Sequence, residues 1–263
     1  MSRRSVPRLA ATSIILLLVL ANLPPAGAEQ SGNPYVTVSL DGSIVPKEIP
    51  RDRSVPVSLS LEGSVHSPNG TPPPRLQRIE IAFGARGGLE TAGLPVCPRA
   101  RLRNATQRQA LARCRGALVG RGEIGAEVPL DPEKPLLARA GALAFNARAN
   151  GRPAVWVHAY SASPPVSFVL PFYVSKHRKG AYGTLLSSPV RQALGRWPRL
   201  RSFRVTLKRR YRAGGERRSY LNARCPLPPR LTALAVPLAR ATYYFAQRPT
   251  LTTTILRGCR VRQ

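Results

Sequence analysis

Apolar and polar residues alternate with period two along most of the chain, the signature of strands with one buried and one solvated face. The alternation predicts strands near 35–40, 55–65, 77–83, 118–128, 141–149, 153–161, 166–174, 182–187, 202–211, 218–225, 241–247 and 251–261. The 27 prolines and 21 glycines suit short strands and turns, and would break a helical protein. One segment departs from the pattern. Asn104 as N-cap, with Gln107 as capping-box partner, opens a helix over 104–115 that Gly116 stops. Leu111 and Cys114 then share a face, which turns Cys114 inward toward Cys97. The expected fold is mainly β: an antiparallel β-sandwich or jelly-roll-like double sheet with one short helix. Residues 29–263 read as one β-rich domain, two smaller sandwiches split near 131–138 being the alternative.

The N-terminus changes the setting. Arg3, Arg4 and Arg8 precede an apolar run from Ala10 to Ala21, and Ala26-Gly27-Ala28 supplies small residues for cleavage before Glu29. Residues 1–28 therefore read as a secretory signal peptide, with retention as an anchor the alternative. The apolar run is short of the roughly 20 residues of a membrane span, so no transmembrane domain is expected after cleavage. Four cysteines, an even number in an exported chain, favour disulfides over thiol chemistry or zinc. Of three connectivities, nearest-neighbour pairing gives Cys97–Cys114 and Cys225–Cys259.

Charge and chemistry narrow the function. The 41 Lys+Arg against 12 Asp+Glu give a net charge of +29. Only three aspartates occur, which argues against a calcium cage or a two-metal site. Abundant Ala, Arg, Gly and Pro are also what codon drift in a GC-rich genome would produce, so clustering rather than the total must carry a functional claim. No nucleophile elbow, phosphate loop or zinc-protease motif is present, and no cofactor or metal is expected. Glu80, alternating with Ile79 and Ile81, reads as a surface partner of Arg78.

Two faces could bind something. Between Arg196 and Arg224 lie ten arginines and one lysine against Glu216 alone. Pairing 203–211 with 218–225 around the Ala213-Gly214-Gly215 turn would gather Arg204, Lys208, Arg210, Arg218 and Arg224 on one polar plate. Such a plate attracts phosphates, sulfates or carboxylates; with no acid-directed role it is a solvated outer face. The second face is Trp156, His158 and Tyr160, one side of the strand 153–161. Exposed, it is an aromatic platform for sugar rings; buried, it is ordinary core, the reading favoured here. Asn150-Gly151 before it favours a type I′ hairpin that sets Phe145 opposite Trp156.

Leu94-Pro95-Val96-Cys97-Pro98, Gln109-Ala110-Leu111-Ala112-Arg113-Cys114 and Ala117-Leu118-Val119-Gly120-Arg121-Gly122 together resemble a family of uncharacterised exported proteins from high-GC actinobacteria. Cys225-Pro226 and Leu251 to Cys259 are similar to the same family's C-terminal part. The resemblance implies an exported setting and paired cysteines, and no activity. The resulting expectation is a non-catalytic envelope or secreted protein whose partner is an anionic envelope polymer or surface, not nucleic acid. A secreted hydrolase of envelope glycans and a structural subunit of a surface assembly are the alternatives. Oligomeric state is open.

Overall fold

A computed structural model describes residues 28–128, 135–194, 198–225 and 227–262. Residues 1–27, which hold the expected signal peptide apart from Ala28, and residues 129–134, where the alternative two-sandwich split begins, lie outside the described residues. The chain is mainly antiparallel β, as its alternation predicts. Its first half runs β1 (Glu29–Asn33), β2 (Val36–Val45), β3 (Glu48–Ile49), β4 (Val55–Pro56), β5 (Ser58–His66), β6 (Leu76–Gly84) and β7 (Gly87–Leu89). Helix α1 (Gln107–Cys114) leads into β8 (Leu118–Val128), β9 (Leu136–Ala149), β10 (Arg152–Ala162), β11 (Pro165–Lys179) and β12 (Tyr182–Ser188). After the short α2 (Val190–Leu194) come β13 (Arg199–Leu207), β14 (Arg210–Ala213), β15 (Glu216–Ser219), β16 (Leu221–Ala223), β17 (Ala233–Phe245) and β18 (Leu251–Val261).

Thirteen strands form one sheet, in the order β1-β2-β5-β13-β8-β9-β10-β11-β12-β6-β17-β18-β3. The sheet rolls until its two ends meet, giving two layers that face each other across one core. At the seam the Tyr243 hydroxyl donates to the Ser39 carbonyl (3.1 Å), and Arg257 Nε donates to the Gly42 carbonyl (2.7 Å). Arg257 also pairs with Asp41. Gly42 permits the approach, because a Cβ there would stand 2.8 Å from Leu61 and 3.3 Å from Ile255. Tyr243, deep in this seam, has its phenol pKa pushed up by burial.

Alternation decides which side chains enter the core. Val36, Val38 and Leu40 of β2, Leu59 and Leu61 of β5, and Ile79 and Ile81 of β6 point inward. On β9 and β10 the inward set is small: Ala140, Ala142, Ala144, Val155, Val157 and Ala159. The outward set of the same two strands is also buried. Phe145, Trp156 and Ala147 pack under the segment 97–117, which crosses the outside of the sheet. The Cys97–Cys114 disulfide staples that segment, and buried Asn146 donates to the Leu94 and Pro95 carbonyls (3.3 and 3.0 Å) to hold its start.

Local details differ from the sequence expectation at the helix cap and in strand 202–211. The helix cap is Thr106 with Gln109, each side chain bonding the other's backbone N–H. Asn104 instead adopts a left-handed turn (φ 52°) that steers the chain into the cap. Pro171 lies where β11 pairs with β10 but not yet with β12, which joins from Tyr173; the bulge falls later, between Lys176 and Lys179. Strand 202–211 breaks after Leu207: Lys208 N–H makes a last bond to the Val119 carbonyl of β8 (2.8 Å), and the chain then passes to the separate β14–β15 ribbon.

Candidate functional site

The broken strand dissolves the predicted arginine plate. Arg204 stays on β13, on the outer face of the sheet, bonded to Glu62 (2.6 Å) and level with Glu123. Lys208 sits in the connection. Arg210 and Arg218 lie on the small β14–β15 ribbon, where Arg210 is level with Ser219 and Tyr211 with Arg218. Residues level with each other share a face, so Arg210 and Arg218 point to opposite sides. Arg218 bonds Glu216 (3.0 Å), and Tyr220, which follows β15, is fully buried. Arg224 alone reaches a distinct place: it lines a cavity.

The aromatic strand is core. Trp156 is 5% exposed and His158 fully buried beneath the stapled segment, while Tyr160 is half-buried. Phe145 stands opposite Trp156, as the Asn150-Gly151 hairpin predicts; both turn residues have positive φ, 49° and 76°. His158 Nε2 lies 2.9 Å from the Ala105 carbonyl, and burial lowers the imidazole pKa. Its neutral form therefore donates from Nε2. Glu80 pairs with Arg78 (3.5 Å) and accepts from the Tyr244 hydroxyl (2.8 Å), a surface cluster.

The feature that invites a ligand is the inside of the rolled sheet. A cavity of about 420 Å³ opens at the end where β2, β6, β13 and β18 finish and β5, β12 and β17 begin. Such a volume is in the range of small-molecule sites. Its walls are apolar: Leu59, Phe83, Val155, Leu186, Leu207 and Leu238. The first five also line a second void of about 80 Å³ further in, whose lining is wholly apolar and ends at Val190 of α2. The two spaces thus stack along the axis of the barrel. Over the mouth lies a three-stranded flap, β4-β16-β7, and the Cys225–Cys259 disulfide ties its exit to β18.

The rim is cationic. Lys47, Arg86, Arg224, Arg257 and Arg260 line the mouth, and the lining contains no Asp, Glu or His. Of these, Arg257 is neutralised by Asp41, and Arg260 is level with Glu48 on β3. Arg86 is the informative one. Its Nη1 is buried and finds no hydrogen-bond partner among the described residues. A buried guanidinium donor without an acceptor is costly, and the cations of Lys47, Arg86 and Arg224 together make the mouth a place where an anionic oxygen is stabilised.

Comparison with protein-family models, curated proteins and solved structures finds no match to this chain. The site must therefore be read from its own chemistry. An apolar channel with a basic mouth fits a molecule with a hydrocarbon tail and an anionic head. The one cysteine in the cavity lining, Cys259, is held in a disulfide. Among the described residues no group of three His, Cys, Asp or Glu side chains comes together.

Sequence reasoning missed this site because no motif marks it. The alanine-rich inward face of β9 is a weak signal at most, since only Ala144 of that face reaches the inner void and none of it lines the outer cavity.

Proposed function

We propose that this is an exported, non-catalytic binding protein for an anionic amphiphile. The hydrocarbon tail enters the rolled sheet and the acidic head meets the rim at Lys47, Arg86 and Arg224. The anionic partner expected from the sequence is thereby narrowed from a polymer on an outer plate to a head group at a cavity mouth. Export accords with the two disulfides and with the described residues containing no helix long and apolar enough to cross a membrane.

The observation that carries the reading is the conjunction of apolar walls with the cations Lys47, Arg86 and Arg224 in a lining that holds no Asp or Glu. Apolar walls alone would take any oily molecule, and a basic rim alone any anion. An unfilled apolar void of 80 Å³ forfeits about 2 kcal/mol of packing at 24 cal/mol per Å³. A tail long enough to reach Val190 recovers that energy, equivalent to about 30-fold in affinity.

The test is equilibrium binding of a fluorescent long-chain fatty acid, beside its methyl ester. The acid should bind and the ester bind at least tenfold more weakly. Thr184→Trp, which fills the cavity near its mouth, should abolish both. Equal binding of acid and ester, or unimpaired binding by a folded Thr184→Trp variant, rules the reading out.

A further inference from the structure

The register of the strands sorts the charged residues between the two ends of the barrel. Leu207 is level with Gly120 and Leu59, Val45 with Ser58, Thr184 with Lys176 and Phe83, and Ala239 with Phe83. The connections 46–57, 208–232 and 180–181 therefore all lie at the end where the cavity opens. The connection 208–232 alone carries Lys208 and seven arginines against Glu216. The connection 46–57 adds Lys47, Arg51 and Arg53 against Glu48 and Asp52, and the β11–β12 hairpin adds Lys176, Arg178 and Lys179. At the opposite end the described connections 67–75, 189–194 and 246–250 contribute one arginine each: Arg75, Arg191 and Arg248. There, too, Arg199 and Arg201 are both bonded to buried Glu127 (3.1 Å each).

The β14–β15 ribbon concentrates this charge. Its Gly214-Gly215 turn has both φ values positive, so the strands fold back tightly. Arg212 and Arg217 stand directly opposite each other, with Arg210 on the same face, and all three are exposed. The ribbon's acid, Glu216, is on the other face, bonded to Arg218. Like charges directly opposite repel, so the arrangement gains from an external anion.

We infer that the mouth end of the barrel docks on a bilayer containing anionic phospholipid, with the cavity opening toward the lipid. The inference rests on the cavity reading above, which makes the bilayer the place where an amphiphile is taken up or released. Between the mouth-end cations stand exposed apolar side chains: Val45 (59% exposed), Leu234 (45%) and Leu231, whose carbonyl accepts from Arg51 Nη2 (3.1 Å). A bilayer interface rewards cations and apolar groups together. A dissolved polyanion has use only for the cations.

The test is sedimentation of the protein with vesicles of phosphatidylcholine alone or with phosphatidylglycerol, over a salt series. Binding should require phosphatidylglycerol and fall steeply with salt. Arg210→Ser/Arg212→Ser/Arg217→Ser should weaken it about 100-fold, at the usual increment per basic residue near an anionic surface. Lysine at the same three positions should restore it. Hydrogen exchange on vesicles should protect 46–57 and 208–232 and leave 67–75 unchanged. Equal binding to neutral vesicles, an unaffected serine variant, protection confined to the opposite end, or equally tight capture of dissolved polyphosphate would each overturn the inference. Fatty-acid binding by the free protein separates the two readings. Docking without it refutes the cavity reading alone, and fatty-acid binding without docking refutes the docking alone.

Discussion

Replacing Arg86 with methionine should make the empty protein more stable and the ligand-binding protein worse. Arg86 Nη1 is buried beside an apolar cavity with no acceptor among the described residues. An unsatisfied buried donor costs about 1–3 kcal/mol. Methionine keeps much of the aliphatic stem that covers the wall while removing the donor. Allowing for some packing lost with the longer side chain, the gain should be about 1 kcal/mol. In a domain of this size that raises the melting temperature by about 2–4 °C. The same change removes a charge-assisted hydrogen bond to the bound head group, about 1.5–3 kcal/mol, so fatty-acid affinity should fall roughly 10- to 100-fold. Urea unfolding of the ligand-free protein and fluorescence titration of the same preparations read the two effects. A variant that loses stability and binds normally would show that Arg86 serves the fold, and the head-group assignment would fail.

Three further outcomes follow from the packing. By loop closure, removing Cys225–Cys259 (separation 34) should cost about 4 kcal/mol and removing Cys97–Cys114 (separation 17) about 3, measured by urea unfolding of the double-alanine variants. Trp156→Ala should cost about 3–5 kcal/mol, as expected of a core aromatic; a loss under 1 kcal/mol would return Trp156 to the surface. His158 titrates lower in the folded state because burial disfavours its charged form. The unfolded chain therefore takes up the proton first, and stability should decline as pH falls below the ordinary histidine value of about 6.5, levelling below the folded pKa. His158→Gln should flatten that part of the stability–pH curve; an unchanged curve would mean another group is responsible.

Period-two alternation located the main strands because most of them are buried on one side only, β9 and β10 being buried on both. Strands 118–128 and 251–261 end where the pattern ends. The strands it did not mark are short, such as Glu48–Ile49 and Gly87–Leu89, too brief to carry a period. The Asn150-Gly151 turn was legible because its backbone conformation selects those residues. The arginine hairpin misled because alternation runs through Lys208 and Arg209 without interruption, although the chain changes sheet there. β13 ends where both its neighbours run out, β5 beginning at Ser58 and β8 at Leu118, which no local pattern encodes. The cavity was illegible for a related reason. Its lining comes from strands as far apart in sequence as β2, β6, β13 and β18, which meet only when the sheet rolls up, and each of them alone looks like ordinary core.

The account stands or falls on where a tail goes. A fatty acid carrying a diazirine at its methyl end, bound and irradiated, should label peptides of β6, β10 and β11 around Ile79, Val157 and Leu170, the lining of the inner void. Peptide mass spectrometry locates the adducts. Labels there, suppressed by Thr184→Trp, are the predicted result. Labels scattered over the outer face, or confined to the arginine ribbon, would contradict an internal tail and return the protein to a surface binder of anions.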